Sequence, residues 1–382
     1  MFKYIKYYIT TLTLLISFIV CANVLHGPSW FLLGFSLFLI LGDYLLPKDQ
    51  NIYKYNHSYL LDIPSYVNLP ILFFFIVFTV TCLSNYTSQF LSLNFLNYFN
   101  IDIISLKNSL NLLDKFSLIV LSALFIGIMG TVPAHELTHR KNNPFDMFIG
   151  NALLGFSWDC AFAVEHVYGH HKNVALPKDP ASAKRGESLY GFIFRAIKNT
   201  QIDALKIEFS RLKRRGYSFF SIKNRVLRGY AYSIILTAAM YLFSGLQGMI
   251  AFLCISLIAK SFLEAINYIE HYGLVRAPGS PVRSAHSWNS NHYLSSIYLC
   301  NVTRHSSHHE KSSLKYWELN PYQNAPKTLY GYLSTLYLVL LFPWLYRLLM
   351  KKKLAYWDNN FASQRELDII RNLDANSYWS YE

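Results

Sequence analysis

The chain has 382 residues, of which 53% are hydrophobic, 17% are aromatic and only 15% are charged. Soluble globular proteins carry about 25% charged residues, so this composition excludes a string of ordinary soluble domains and indicates an integral membrane protein. The net charge of +13 does not indicate a nucleic-acid partner, because the lysines and arginines flank apolar stretches, where positive charge marks the cytoplasmic side of a membrane.

Long apolar stretches predict about six transmembrane helices, since about 20 apolar residues cross a bilayer. The predicted spans are residues 9–25, 30–46, 69–83, 116–132, 226–243 and 248–268. Lys3 and Lys6 precede the first stretch, but no small-residue cleavage site follows it. The first stretch is therefore interpreted as a span and not as a signal peptide. The whole chain, 1–382, is predicted to be one all-α integral membrane domain.

The distribution of basic residues predicts which segments lie on which side. Lysines and arginines concentrate in residues 134–225, which predicts that this segment is cytoplasmic. With the N terminus on the same side, six spans also place residues 270–329 in the cytoplasm and residues 84–115 outside. These two cytoplasmic segments carry most of the histidines, so the sequence predicts a histidine-rich cap on the cytoplasmic face of the inner membrane.

Three further segments have a mixed character. Residues 145–163 are apolar but contain Asn151 and Asp159, which favours a helix packed against the bundle over a full span. Residues 202–215 are basic and amphipathic, a pattern typical of a helix on the membrane surface. Residues 330–350 are apolar but are interrupted by a proline, so both a surface helix and a seventh span fit this segment.

Nine of the thirteen histidines fall into four short clusters. The clusters read H-E-L-T-H-R at 135–140, E-H-V-Y-G-H-H at 165–171, N-Y-I-E-H-Y-G at 267–273 and R-H-S-S-H-H at 304–309. Residues three or four apart share one face of a helix, and imidazole is the commonest metal ligand in proteins. The nine histidines are His135, His139, His166, His170, His171, His271, His305, His308 and His309.

Nine imidazoles are too many for one ion and suit two ions, each with four or five nitrogens and room for a small ligand. The remaining histidines, His26, His57, His286 and His292, stand alone and are interpreted as ordinary polar residues. Nitrogen-rich sites accept zinc, copper, iron or nickel, so spacing alone does not name the metal. The five cysteines are scattered without any C-x-x-C pair, which argues against disulfides and an iron–sulfur centre.

The first cluster also satisfies the H-E-x-x-H pattern of zinc proteases, in which Glu136 would act as general base. That interpretation requires one further ligand and assigns no role to the remaining clustered histidines. A zinc protease therefore explains less of the sequence than a two-metal site does.

The four clusters resemble the histidine boxes of the membrane di-iron alkane 1-monooxygenases, within the wider fatty-acid desaturase and hydroxylase superfamily. The box at 267–273, which supplies His271, is similar to the one specific to the alkane enzymes. Residues 179–183 also resemble that family. Residues 206–208 and 284–289 look closer to the hydroxylase component of xylene monooxygenase. An alkane and the methyl group of an alkylbenzene therefore both remain possible substrates.

This resemblance implies that the nine histidines hold two iron ions, which after reduction use O2 to hydroxylate an unactivated terminal C–H bond. The apolar substrate would enter from the bilayer. Carboxylates near the ligands would hold the second ring nitrogen of a histidine. The candidates are Glu136, Glu165, Asp179 and Glu270.

The electrons must come from another protein, because the chain has no rubredoxin cysteines, flavin fingerprint or haem motif. The resemblance implies a separate carrier of the rubredoxin or ferredoxin-reductase type. A desaturase acting on lipid acyl chains is the alternative, and the box at 267–273 disfavours it.

Overall fold

The computed structural model describes residues 1–375. Within that range the regular secondary structure is helical, and the rest consists of turns, loops and two isolated β-bridges. Within residues 1–375, five helices are long and apolar enough to cross a membrane. These are α1 (Lys3–Asn23), α2 (Gly27–Leu45), α3 (Tyr59–Leu83), α6 (Leu112–His139) and α10 (Arg225–His271). The all-α membrane fold is thereby confirmed, whereas the number of crossings and their orientation stay predictions.

Helix α10 is interrupted near its middle. Its 47 residues would extend for about 70 Å at 1.5 Å per residue, more than twice the apolar thickness of a bilayer. Gly245 adopts φ 64° and ψ −167°, a conformation open to glycine, and it divides the helix into two arms. The arms coincide with the two predicted spans at 226–243 and 248–268.

The break at Gly245 is held in place by the end of α3. The Ser84 hydroxyl donates to the carbonyl of Ser244 at 2.6 Å, and the Thr81 and Ser244 hydroxyls lie 2.9 Å apart. The side chain of Tyr86 covers Gly245, where an added Cβ would come within 3.2 Å of the Cβ atom of Tyr86. These contacts satisfy backbone groups that the helix leaves open at the break.

Between the apolar helices lie shorter elements, several of which differ from the sequence expectation. The predicted external loop at 84–115 contains helices α4 (Gln89–Phe99) and α5 (Ile103–Ser109). Helix α7 (Pro144–Gly155) ends before residue 163, and 162–173 form a further helical segment, α8. Helix α9 (Leu189–Arg214) is 26 residues long, because its regular pattern begins well before residue 202.

The C-terminal third consists of short helices. They are α11 (Tyr293–Tyr298), α12 (His305–Glu310), α13 (Tyr332–Leu341), α14 (Pro343–Asn360) and α15 (Gln364–Ala375). Pro343 ends α13 and begins α14. At 10 residues, α13 rises about 15 Å, which is half the apolar thickness of a bilayer, so α13 does not cross it alone.

The chain divides into two compact units. Unit 1 comprises Met1–Phe38, Tyr55–Cys160 and Phe220–Phe262; unit 2 comprises Leu39–Lys54, Ala161–Phe219 and Leu263–Glu382, of which 376–382 lie outside the described residues. Unit 1 contains most of the apolar helices, and its core includes the contacting rings of Phe18, Phe74 and Phe78. The prediction of one membrane domain is not tested by this division.

Unit 2 contains seven of the nine clustered histidines, and buried polar contacts fix the loops that carry them. Arg185 donates to the carbonyl of Gly273 at 2.8 Å and pairs with Asp358. The Trp288 indole donates to the carbonyl of Tyr272 at 2.9 Å. These contacts connect the end of α10 to segments far away in the sequence.

Candidate metal centre

The first histidine pair lies at the end of α6, in unit 1. The helix passes through a π-helical segment, Ile126–Thr131, before the regular turn Val132–His139. The rings of His135 and His139 are 5.1 Å apart, centroid to centroid, so both project from one face as their spacing predicts. Glu136 accepts a hydrogen bond from Arg140 at 2.8 Å.

Arg140 fixes the end of this helix through several carboxylates. Its guanidinium lies 2.6 Å from Asp62 and 3.3 Å from Asp146, in addition to its bond with Glu136. These partners come from α3, α7 and α6 itself. The histidine-bearing turn is therefore anchored to its neighbours within unit 1 by a largely buried network of charges.

The second box, in unit 2, lies on a π-helix and not on a regular α-helix. Residues His166–His170 form this turn, and the His171 amide donates to the carbonyl of His166. In such a turn the backbone hydrogen bond joins residues five apart, instead of four apart as in an α-helix. The Nε2 atoms of His166 and His171 are consequently 3.0 Å apart, although their sequence spacing did not place them on one helical face.

His308 joins this pair from the fourth box. Its ring centroid is 4.7 Å from that of His171 and 5.9 Å from that of His166. We refer to His166, His171 and His308 as the three-histidine group. It lies entirely within unit 2.

The second group in unit 2 consists of four buried histidines, which we call the four-histidine cluster: His170, His271, His305 and His309. The ligand nitrogens of these side chains all lie within 4.8 Å of one another. The Nε2 atom of His305 is 3.1 Å from that of His271 and 3.0 Å from that of His309. The cluster draws one residue from the second box, one from the third and two from the fourth.

Hydrogen bonds fix the protonation of two members. The Nδ1 atom of His170 lies 2.9 Å from the Asp179 carboxylate, and that of His271 lies 3.2 Å from the carbonyl of His286. Both oxygens only accept, so each Nδ1 carries the proton and each Nε2 presents a lone pair to the cluster. The Nε2 atom of His170 is buried and has no hydrogen-bond partner in the structure.

Lone pairs that converge in a buried space repel one another unless a cation lies between them. Burial, and then the neighbouring imidazoles His305 and His171, lowers the pKa of His309 well below its ordinary value. His309 is therefore neutral at pH 7, the state in which imidazole binds metal. Four converging imidazoles, one with a buried nitrogen that has no hydrogen-bond partner, fit a metal ion such as zinc, copper or iron.

Asp179 supports this site most directly among the four candidate carboxylates. It is buried, and besides His170 it accepts a hydrogen bond from the Ser182 hydroxyl at 2.6 Å. Burial alone would raise the pKa of Asp179, but its interaction with His170 and the hydrogen bond from Ser182 lower it overall, so the carboxylate is ionised. Glu270 lies 3.3 Å from His305 Nε2, and Glu165 packs against Gly169.

Comparison with known proteins places this arrangement in a family. A family model for fatty acid desaturases matches residues 115–337, more than half of the chain, and this range includes all nine clustered histidines. Alkane 1-monooxygenase 2 of Alcanivorax borkumensis is 36% identical over 67% of this chain and 68% of its own length. The chain belongs to the alkane 1-monooxygenase branch of the fatty acid desaturase family.

Two other relatives differ in their identity to this chain and in how much of it they cover. Alkane 1-monooxygenase 2 of Pseudomonas aeruginosa is 37% identical over 61% of this chain and 63% of its own length. The xylene/toluene monooxygenase hydroxylase component XylM of Pseudomonas putida is 28% identical over 92% of this chain and 90% of its own. The alkane enzymes are thus more similar in sequence, whereas the xylene enzyme aligns over more of the chain.

One supporting element of this alkane 1-monooxygenase relative escaped sequence reasoning. His286 was interpreted as an ordinary residue, yet its backbone carbonyl holds His271. Its ring lies 2.9 Å from Glu366, and Arg283 also pairs with Glu366. A backbone carbonyl is present at every residue, so its role as a supporting group cannot be recognised from the side-chain sequence. Glu366, which contacts the ring of His286, lies 80 residues further along the chain.

The other isolated histidines have ordinary partners. His26 lies 2.8 Å from Asp114, and His292 lies 3.0 Å from the Ser290 hydroxyl. His57 stacks edge-on against Tyr59. None of the three is among the histidines grouped as possible metal ligands in the described part of the chain.

Proposed function

We propose that this protein is a membrane di-iron monooxygenase that hydroxylates an unactivated terminal C–H bond to a primary alcohol. The observation that carries the proposal is the four-histidine cluster, in which Asp179 and the His286 carbonyl direct lone pairs to one point. The alkane 1-monooxygenase and xylene/toluene monooxygenase relatives support this reaction over desaturation.

The nine histidines would hold two iron ions. One ion would be bound by the four-histidine cluster. The resemblance of the boxes implies that the remaining clustered histidines serve the other ion. Iron with O2 would supply the oxidising chemistry. The side chains described above keep the ligands neutral, orient them and exclude water from the buried site.

The substrate that fits best is a medium-chain alkane, with the methyl group of an alkylbenzene as the second candidate. Greater identity to the alkane enzymes favours the first, and an apolar thickness of about 30 Å accommodates a chain of medium length. Side-chain volume part-way along a span would limit the accepted length. The candidates are Trp30, Phe125 and Phe262, on the second, fourth and sixth predicted spans. Phe125 is buried, Phe262 is half-buried and Trp30 is 63% exposed.

Electrons would reach the site from a separate carrier of the rubredoxin or ferredoxin-reductase type. The basic segment 134–225 would face the cytoplasm of a bacterial inner membrane and would attract an acidic carrier. The apolar substrate would arrive through the bilayer. This arrangement would separate the aqueous source of electrons from the apolar source of substrate.

The test combines metal analysis with product analysis on purified protein. We expect about two irons per chain, and primary alcohols from an alkane series supplied to whole cells. His271→Ala should lower iron content as severely as His170→Ala, because both side chains belong to the same cluster. His57→Ala, a histidine outside the clusters, is the matched control and should keep the wild-type iron content.

Four outcomes would contradict the proposal. Zinc in place of iron would favour the protease pattern at the first box, and alkene products would favour a desaturase. Wild-type iron and activity in the His271 variant would remove this residue from the ligand set. Mid-chain alcohols or ring hydroxylation would contradict attack at the chain end.

A further inference from the structure

Unit 2 contains a second feature that metal binding does not explain, an apolar groove of about 550 Å³. Its walls come from the end of α2, with Ile40 and Leu41, and from α13 and its C-terminal end, with Leu338 and Leu341. Sites for small ligands measure about 300–1,000 Å³. Leu41 and Leu341 are 50% and 65% exposed, so the groove opens outward beside an apolar helix.

The carboxylate at the base of the groove does not attract a cation. Asp43 is buried, and it accepts hydrogen bonds from the backbone amide and the hydroxyl of Ser295. The hydroxyl of Ser334 donates to it at 3.0 Å. Both carboxylate oxygens of Asp43 thus accept hydrogen bonds from these serines, which connect α2 to α11 and α13. The rest of the lining is predominantly aliphatic and aromatic.

Three lysines of unit 2 bear on what this groove binds. Backbone pairing positions two of them, since Lys48 forms an antiparallel bridge with His292 and Lys327 forms a parallel bridge with Asn289. His292 itself lines the groove. Lys327 is also three residues from Tyr330, another lining residue, and is therefore within about 11 Å of it along the chain.

The third lysine, Lys353, comes from α14. Burial, and then the charges of Lys48 and Lys327, lowers the pKa of Lys353. Burial, and then the charge of Lys48, lowers the pKa of Lys327. None of the three forms an ion pair with a carboxylate within residues 1–375. Three mutually repelling cations without a counterion are complementary to an anion.

We propose that this groove binds an anionic phospholipid of the bilayer, with its phosphate between Lys48, Lys327 and Lys353 and one acyl chain along α2 and α13. Basic pockets beside transmembrane helices on the cytoplasmic side bind anionic lipid headgroups. The juxtaposition of an apolar groove with three unpaired lysines carries the proposal. The binding site is independent of the metal centre and of the proposed hydroxylation.

An acidic protein partner would explain the lysines but not the groove. A docked protein needs contact over a broad surface, whereas this groove has aliphatic and aromatic walls, and its lining residue His292 pairs with the backbone of Lys48. Inorganic phosphate would likewise satisfy the lysines alone. The aliphatic walls therefore favour a ligand that joins a phosphate to a hydrocarbon chain.

The test uses the full-length protein in detergent, mixed with equal amounts of phosphatidylglycerol and phosphatidylcholine that carry the same acyl chains. Native mass spectrometry counts the lipids that remain bound. We expect retention of one phosphatidylglycerol with roughly tenfold preference, since each nearby lysine strengthens attraction to an anionic headgroup. Lys327→Gln combined with Lys353→Gln should abolish the preference, and the same pair changed to arginine should preserve it.

Two matched controls separate charge from shape. Lys352→Gln removes an exposed lysine adjacent to Lys353 on α14 and should change nothing. Leu338→Trp fills the groove and should reduce retention of phosphatidylglycerol while leaving all three lysines intact. Thermal unfolding of every variant at wild-type temperature establishes that the fold is preserved, and the arginine pair serves as the reference if the glutamine pair unfolds early.

Several results would overturn the proposal. Equal retention of both lipids by the wild type excludes a headgroup site. Complete displacement of the lipid by glycerol phosphate, which has no acyl chain, would show that the groove contributes nothing. If the glutamine pair retains the lipid normally but slows electron transfer from a carrier, the lysines belong to a protein-docking surface.

Discussion

Asp179→Asn tests whether the four-histidine cluster is a metal site, because it changes one charge without changing shape. The carboxylate accepts the Nδ1 proton of His170 at 2.9 Å and the Ser182 hydroxyl at 2.6 Å, in a fully buried setting. The amide oxygen of asparagine can accept the same proton. The hydrogen bond thus survives, and only its ionic character is lost.

The size of the effect follows from that difference. A hydrogen bond to a charged group contributes about 1.5–3 kcal/mol, and one between neutral groups about 0.5–1.5 kcal/mol. Removing the charge therefore costs about 1–1.5 kcal/mol, which corresponds to roughly a tenfold loss of metal affinity. Asp179→Ala removes the bond as well and should approach the 100-fold limit seen when a group that supports a metal ligand is deleted.

The assay is competition between the purified protein and a graded series of chelators, with iron per chain measured by mass spectrometry. Asp43→Asn is the matched control, since Asp43 is equally buried but accepts from serines and contacts none of the predicted ligands. We expect wild-type affinity in that variant. If Asp179→Asn bound iron as tightly as the wild type, the carboxylate would not support His170 as a ligand.

Three further predictions address the membrane region. Lys260→Met should lower stability by about 3–5 kcal/mol, because it leaves the Asp159 carboxylate, 2.8 Å away, buried without its counterion; a double change to Met and Leu should recover much of the loss in thermal unfolding. Reporter fusions at Asn97 and Gly186 should report opposite sides of the membrane, and the same side for both would contradict six spans. Phe125→Ala should lengthen the accepted alkane without moving the oxidised carbon, as measured by product analysis; an unchanged length range would remove this residue from the substrate path.

Residue chemistry alone determined the class of this protein. Apolar stretches of about 20 residues form helices when they cross a membrane, because a helix satisfies all of its backbone hydrogen bonds internally. The apolar composition was therefore sufficient to predict an all-α membrane fold. The grouping of nine histidines was likewise visible without coordinates, because ligand residues must lie close together on a few turns. The resemblance of the boxes to those of alkane 1-monooxygenases was confirmed by the similarity to these enzymes.

Tertiary structure decided how the histidines are shared. His170 and His171 are neighbours in the chain, yet His170 belongs to the four-histidine cluster and His171 to the three-histidine group. The reason is that the second box forms a π-turn, in which the backbone hydrogen bond joins residues five apart. A periodicity argument assumes the α-helical repeat and therefore pairs the wrong side chains. The local sequence of this box does not predict the π-helical turn.

Long-range contacts are the other part that the sequence left open. The carbonyl of His286 fixes the proton on His271, and Lys48 and Lys327 approach each other through backbone bridges to segment 289–292. A carbonyl is present at every residue, and a lysine is compatible with many surfaces. The packing of distant segments decides which carbonyl or lysine contacts a ligand or another charge. Such contacts stabilise the protein only after folding has placed these segments side by side, so the local sequence does not reveal them.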